Sequence, residues 1–131
     1  FLKYGISGIR GEAERGFPTV REKGLPTLRA GLKGGLSFND ASVQSLISIM
    51  SSAEDTNVII RSNLDFLHKE VQVRAKEIIK FGGMYTSKGR KSIQDLDKYF
   101  IKKGINPGGS ADLLAITITL YYFSLLAVPE F

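Results

Sequence analysis

Apolar residues recur at helical spacing along most of the chain. Val43, Leu46, Ile47 and Met50 fall at i, i+3, i+4 and i+7 and predict an amphipathic helix, with Asn39 or Asp40 as its cap. Leu64, Leu67, Val71, Ala75 and Ile78 mark one face of a longer helix over about residues 63–81, stopped by Gly82-Gly83. Leu25, Leu28 and Leu32 form a stripe ahead of Gly34-Gly35, in a helix that Pro18 suits as a first residue and Pro26 should interrupt or restart. Ser92 and Asp95 read as a capping box opening a helix lined by Ile93, Leu96 and Phe100, which Lys102, Lys103 and Gly104 close. Residues 5–16 read as an exposed loop following a short helical end at 1–4, and Ser51 to Asn57 as a second polar loop.

The last helix should begin near Ser110. Its Ile116-Thr117-Ile118-Thr119 stretch also fits a strand, but a lone strand has no partner here and the surrounding Leu and Ala favour helix. The sixteen apolar-rich residues from Leu113 to Val128 include Thr117, Thr119 and Ser124, short of the roughly 20 that span a bilayer. They read as a buried central helix with no membrane partner. With no internal repeat or heptad series, the pattern predicts one all-α domain over residues 1–131, about five or six helices packed around an apolar C-terminal helix.

Composition bounds what such a domain does. The chain has 131 residues, 43% of them hydrophobic, enough for a core that buries about two-thirds of the unfolded surface. The absence of cysteine rules out disulfides and thiolate metal sites and fits a reducing cytoplasm, and the single histidine, His68, argues against zinc. His68 reads as a helix-flank residue. The start has no basic, apolar, small-residue order, so no secretory signal is expected, and a chain that begins at Phe1 reads as a fragment or processed piece. A net charge of +5 favours an anionic partner. Its lysines and arginines are scattered along helices, which points to polyphosphate ahead of nucleic acid. The cluster from Lys88 to Lys91 reads as a solvated loop before a helix.

Three polar segments carry candidate chemistry. In Asn106-Pro107-Gly108-Gly109-Ser110-Ala111-Asp112, proline and two glycines stop one helix and let the backbone approach a ligand, while the next helix offers unpaired N–H groups and its positive dipole end. Asp112, placed in the first turn, would repel bare phosphate, so the segment suits a phosphate chain carried by Mg²⁺. The same residues also suit a plain helix start, with Gly109 or Ser110 as N-cap. Gly8-Ile9-Arg10-Gly11-Glu12-Ala13 and Glu54-Asp55-Thr56-Asn57 each set an acid beside a helix boundary, and Arg10 and Arg61 could grip phosphate while Asn57 and Asn106 orient hydroxyls.

These segments, together with Gly16-Phe17-Pro18 and Arg61, occur in an order that resembles the triphosphoribosyl-dephospho-CoA synthase (CitG-type) family of citrate lyase maturation. The resemblance implies an all-helical fold and a glycosyl transfer in which ATP and 3′-dephospho-CoA give 2′-(5″-triphosphoribosyl)-3′-dephospho-CoA and adenine. It implies Mg²⁺ with the triphosphate, held by Asp55 and Asp112, and a base among Glu12, Asp55 and Asp112, an analogy with glycosidases. Arg10, Asn57, Arg61, Asn106, Gly108, Gly109 and Ser110 become substrate contacts. A downstream carrier-protein transferase and the citrate lyase acyl carrier protein are indirect partners. Ile60 stands where the family has a histidine, and the family's length is about twice this chain's, so the chain resembles the C-terminal half and a missing N-terminal half becomes its partner. Homodimerisation, and a non-catalytic basic module that binds nucleic acid or protein, remain as alternatives.

Overall fold

A computed structural model of the chain describes residues 8–126, and all regular structure among them is helical. The helices are α1 (Gly8–Glu14), α2 (residues 18–33), α3 (Phe38–Met50), α4 (Thr56–Arg61), α5 (residues 64–80), α6 (Ser87–Lys103) and α7 (Gly108–Leu126), with a short 3₁₀ turn at Gly83–Tyr85. The all-α expectation holds, with seven helices among the described residues where five or six were predicted. The extra ones lie in segments read as loops. α1 forms inside the glycine-rich stretch and buries Gly11 and Glu12, and α4 follows directly from Asp55. The helical end expected at 1–4 lies outside the described residues.

Pro26 marks a restart within α2, as expected: the regular α ladder begins again at Leu25, with Pro26 in its first turn, and the helix does not end. Proline lacks an N–H and its ring presses on the carbonyl four residues back; here a π turn at Val20–Gly24 precedes it, with the Leu25 N–H donating to Val20 O. The widened turn displaces the carbonyls that would clash. The Gly24 carbonyl accepts from the buried Ser45 hydroxyl at 2.7 Å, which ties α2 to α3.

Two predicted caps move. Ser37, not Asn39 or Asp40, caps α3, accepting from the Asp40 N–H at 3.1 Å. Thr86 caps α6, accepting from the Gly89 N–H at 2.9 Å, so the Lys88 to Lys91 cluster lies within the helix instead of a loop. Ser92 is therefore interior and donates to the Lys88 carbonyl, while Asp95 pairs with Lys91 one turn back. Local side-chain spacing cannot tell a cap from a mid-helix pair when an earlier threonine already starts the ladder. α5 is as predicted, with Asn63 capping it and Leu67, Val71, Ala75 and Ile78 buried.

The core has two parts that meet at α3. Ile47 and Met50 pack with Val58, Leu67, Val71, Leu96 and Phe100, while Ile49 packs with Val20, Ala53 and Leu113. α3 is thus buried on opposite faces, which explains its small polar residues Ser45 and Ser48 where an amphipathic helix would show water-facing charge. α7 is the long apolar helix expected, and Thr117 and Thr119 fit it by donating back to Leu113 O and Ala115 O. Its burial differs from expectation. Ser110, Leu113 and Thr117 are buried, whereas Tyr122, Phe123, Leu125 and Leu126 are 51–75% exposed, with Tyr122 stacked on Phe38. By length and composition α7 is also long and apolar enough to cross a membrane.

Candidate functional site

Asp55 joins two helices. Its backbone is extended, as an N-cap requires, and Oδ1 accepts from the Asn57 and Val58 N–H groups at 3.1 and 3.2 Å, capping α4. The same carboxylate reaches the start of α7, 54 residues on, where Oδ1 accepts from the Gly109 N–H at 3.1 Å. Oδ2 accepts both the N–H and the hydroxyl of Ser110 at 2.8 Å. A carboxylate has about four lone-pair directions, so five donors leave none free. Asp55 is 2% exposed and Ser110 fully buried, so the pairing is shielded from water.

This differs from the sequence reading of the Asn106 to Asp112 junction. α7 begins at Gly108, two residues before Ser110, and its first N–H groups are capped by a distant residue. Asp112 therefore lies beyond the first turn, exposed. The Gly109 and Ser110 N–H groups expected to be open to a ligand already bond a carboxylate, and the positive end of the helix is satisfied from within the fold. Glycine is required at 109 for that approach: a Cβ there would lie 2.9 Å from Asp55 Oδ1 and 3.1 Å from its Cγ. Gly109→Ala should cost about 1–3 kcal/mol, read as a lowered denaturant midpoint, while Gly108→Ala meets only the movable end of Asn57 and should cost less.

Above this brace lies a cleft of about 300 Å³. Three sequence-distant segments wall it: Gly8, Ile9, Glu12 and Arg15; Ser52 to Thr56; and Gly109 with Leu113. The π turn of α2 adds Thr19, Glu22 and Lys23. Glu12 is 8% exposed, and its Oε1 accepts from the Thr19 N–H at the start of α2. Its Oε2 faces Arg15 at 3.7 Å, an ion-pair separation that leaves the oxygen able to accept a closer donor.

The turn that sets Glu12 is tight. α1 closes on Gly16 at φ +73°, and the Phe17 N–H donates to Glu12 O at 2.7 Å. Phe17 itself sits at φ +55°, a conformation bulky side chains avoid, held by packing against Val20, Ile49, Ala53 and Leu113. Arg21 clamps the same turn by donating to Gly16 O at 2.7 Å.

Of the residues singled out from sequence, Glu12, Asp55 and Gly109 meet at the cleft, and Gly108, Ser110 and Asn57 surround the Asp55 brace. Asp112, Arg10 and Arg61 are not in the lining. Arg10 pairs with Glu14 at 3.6 Å, both side chains largely in solvent, and Arg61 is exposed at the end of α4. His68 is exposed and bonds Gln72, consistent with a flank residue. Asp95, whose carboxyl is held below its usual range by the Lys91 hydrogen bond, also lies outside the lining. Sequence reasoning missed Glu22 and Lys23. Their signal was the helical i+4 step from Pro18 and Thr19, which carries the Gly16-Phe17-Pro18 segment one turn further into the cleft.

The cleft is acidic in a basic chain. Glu12, Glu22, Glu54 and Asp55 line it against Arg15 and Lys23. Among the described residues no three His, Cys, Asp or Glu side chains cluster to hold a metal unaided.

Comparison with known proteins places this geometry in a family. The family described as ATP:dephospho-CoA triphosphoribosyl transferase (CitG) matches over residues 1–129. A probable 2-(5″-triphosphoribosyl)-3′-dephosphocoenzyme-A synthase of Malonomonas rubra is 41% identical over 124 residues, 95% of this chain and 39% of the relative. A protein of the same description from Salmonella typhimurium is 40% identical over 123 residues, 94% of this chain and 40% of its own. Protein CitXG of Leuconostoc mesenteroides subsp. cremoris is 41% identical over 120 residues, 92% of this chain and 25% of its own. The chain thus spans about two-fifths of the length of the synthases it matches. No solved structure matches it. With the family matched over nearly its whole length, the chain belongs to the ATP:dephospho-CoA triphosphoribosyl transferases.

Proposed function

We propose that the chain forms part of an active site that moves triphosphoribose from ATP to 3′-dephospho-CoA and releases adenine, making the prosthetic-group precursor for the citrate lyase acyl carrier protein. The observation that carries this reading is the convergence of the 8–15, 52–56 and 109–113 segments on one cleft that also holds a largely buried glutamate with an available oxygen. In the transfer, the ribose 2′-hydroxyl oxygen of dephospho-CoA bonds to C1′ of ATP as the C1′–N9 bond breaks. The hydroxyl proton passes to Glu12 and finally to the departing adenine, so the atoms balance. The cation-like sugar formed midway is the kind that carboxylates stabilise.

Of the three candidate acids, Glu12 fits the base best, because it alone lines the cleft with an oxygen outside a saturated network. Asp55 fits a positioning role, holding Gly109 and Leu113 against Glu54 to Thr56. Arg15 and Lys23 are the cations in the lining and would meet the triphosphate, with Arg10, Arg61 and Asp112 acting outside the described cleft.

Mg²⁺ fits the charge balance: a polyphosphate entering a wall with four carboxylates and two cations needs a counter-cation. Mg²⁺ is commonly held by one or two carboxylates plus substrate phosphates, and Glu22 and Glu54 could serve, since neither makes an ion pair or side-chain hydrogen bond among the described residues. The ion would neutralise the triphosphate and fix its orientation.

The exposed apolar side of α7 fits packing by the remainder of a family-length chain, which would also complete the cleft. To test the reading, this chain is incubated with ATP, dephospho-CoA and Mg²⁺, alone and with the remaining segment of a family-length relative. Free adenine should appear in step with the coupled product and disappear on chelation. ADP or phosphate formation without adenine would refute it.

A further inference from the structure

A second cavity adjoins the cleft, and nothing assigned so far uses it. It measures about 320 Å³ and lies between α3 and α6, with Val43, Leu46, Met50, Ile101 and Pro107 among its walls. Its floor is the core itself, since Ile47, Met50, Leu96, Phe100 and Ile105 are all under 10% exposed, so the shape is preformed. The linings of the groove and the cleft approach each other along the chain at two separate places. Met50 lines the groove and Ser52 the cleft; Pro107 lines the groove and Gly109 the cleft. Two residues of chain reach at most about 7 Å, so the two linings come within that distance of each other at both places.

Their chemistry is opposite. The cleft is charged, while the groove has no cationic side chain and a single carboxylate, Asp97, and would reject phosphate. Asn106 stands at the rim, exposed, its side-chain amide without a hydrogen-bond partner among the described residues. An amide there can pair with a ligand amide by giving one hydrogen bond and taking one.

We infer that this groove holds the amide-bearing aliphatic arm of the dephospho-CoA acceptor, with Asn106 on an arm amide, while the nucleotide end lies over the rim in the cleft. The inference rests on the proposed acceptor. It answers why a polar site should border an apolar one: an uncharged chain of methylenes and amides gains from leaving water, and its phosphates do not follow it.

Ile101 is 73% exposed, so Ile101→Glu alters the groove with little effect on the fold. In the adenine-release assay this variant should raise KM for dephospho-CoA about tenfold or more and leave KM for ATP, and for ADP offered as an armless acceptor, unchanged. Equal changes for both acceptors, or none, would overturn the inference. A binding readout separates it from the activity reading. Pantetheine alone, added to this chain, should shift the methyl resonances of Val43, Leu46 and Ile101. No shift at saturating pantetheine overturns the groove assignment whether or not adenine is ever released, and so does a dimer on gel filtration whose interface covers these methyls. Pantetheine binding without adenine release would instead count against the transfer reaction.

Discussion

Asp55→Ala should destabilise the chain by about 2–5 kcal/mol, the largest loss expected of any single substitution at the site. The cap of α4 contributes about 1–2 kcal/mol. The start of α7 adds more, because Ser110 is fully buried and an unpartnered buried donor costs about 1–3 kcal/mol. Against a typical stability of about 5–15 kcal/mol, a chain that loses this brace approaches unfolding. Asp55→Asn should fall between wild type and alanine, since one oxygen survives but the new NH₂ faces donors of its own kind. Ser110→Ala loses one bond of the five and should cost about 1 kcal/mol. Urea unfolding midpoints in that order support the brace. An Asp55→Ala chain as stable as wild type would remove it.

Glu12→Gln should lower adenine release by roughly 10²–10⁴-fold, the range a positioned base contributes, with the fold intact. Glutamine keeps an oxygen for the Thr19 N–H, so the turn between α1 and α2 survives. What it loses is the ability to take a proton. Binding of Mg-ATP should change little, which separates a chemical role from a structural one. Asp112→Asn provides the contrast, since its side chain is outside the cleft lining. Turnover should stay within about threefold of wild type, well short of the span expected for a base. If Asp112→Asn abolished turnover and Glu12→Gln spared it, the base would be reassigned.

How much was legible beforehand depended on whether a residue's partner was near in sequence. The stripes at 43–50 and 64–78 have their period in the chain, and both helices form, with Ile47, Met50, Leu67, Val71, Ala75 and Ile78 buried and Val43, Leu46 and Leu64 half-buried. Asp55 and the 106–112 junction stood out as helix boundaries, yet nothing local reveals that one caps the other across 54 residues. The same gap made the first N–H groups of α7 look available. Pro26 was legible as a restart, but the π turn ahead of it, which changes which carbonyl it faces, was not. α7 looked like a core helix because apolarity says that a face will be covered, not by which part of a protein.

The central claim is that the cleft over the Asp55 brace is the nucleotide site. Photolabelling with 8-azido-ATP in the presence of Mg²⁺, followed by peptide mass spectrometry, tests it most directly. Label should fall within residues 8–23 or 52–56 and be displaced by excess ATP. Label confined to the exposed end of α4 at Arg61, or to the α7 surface beyond Leu120, would contradict it.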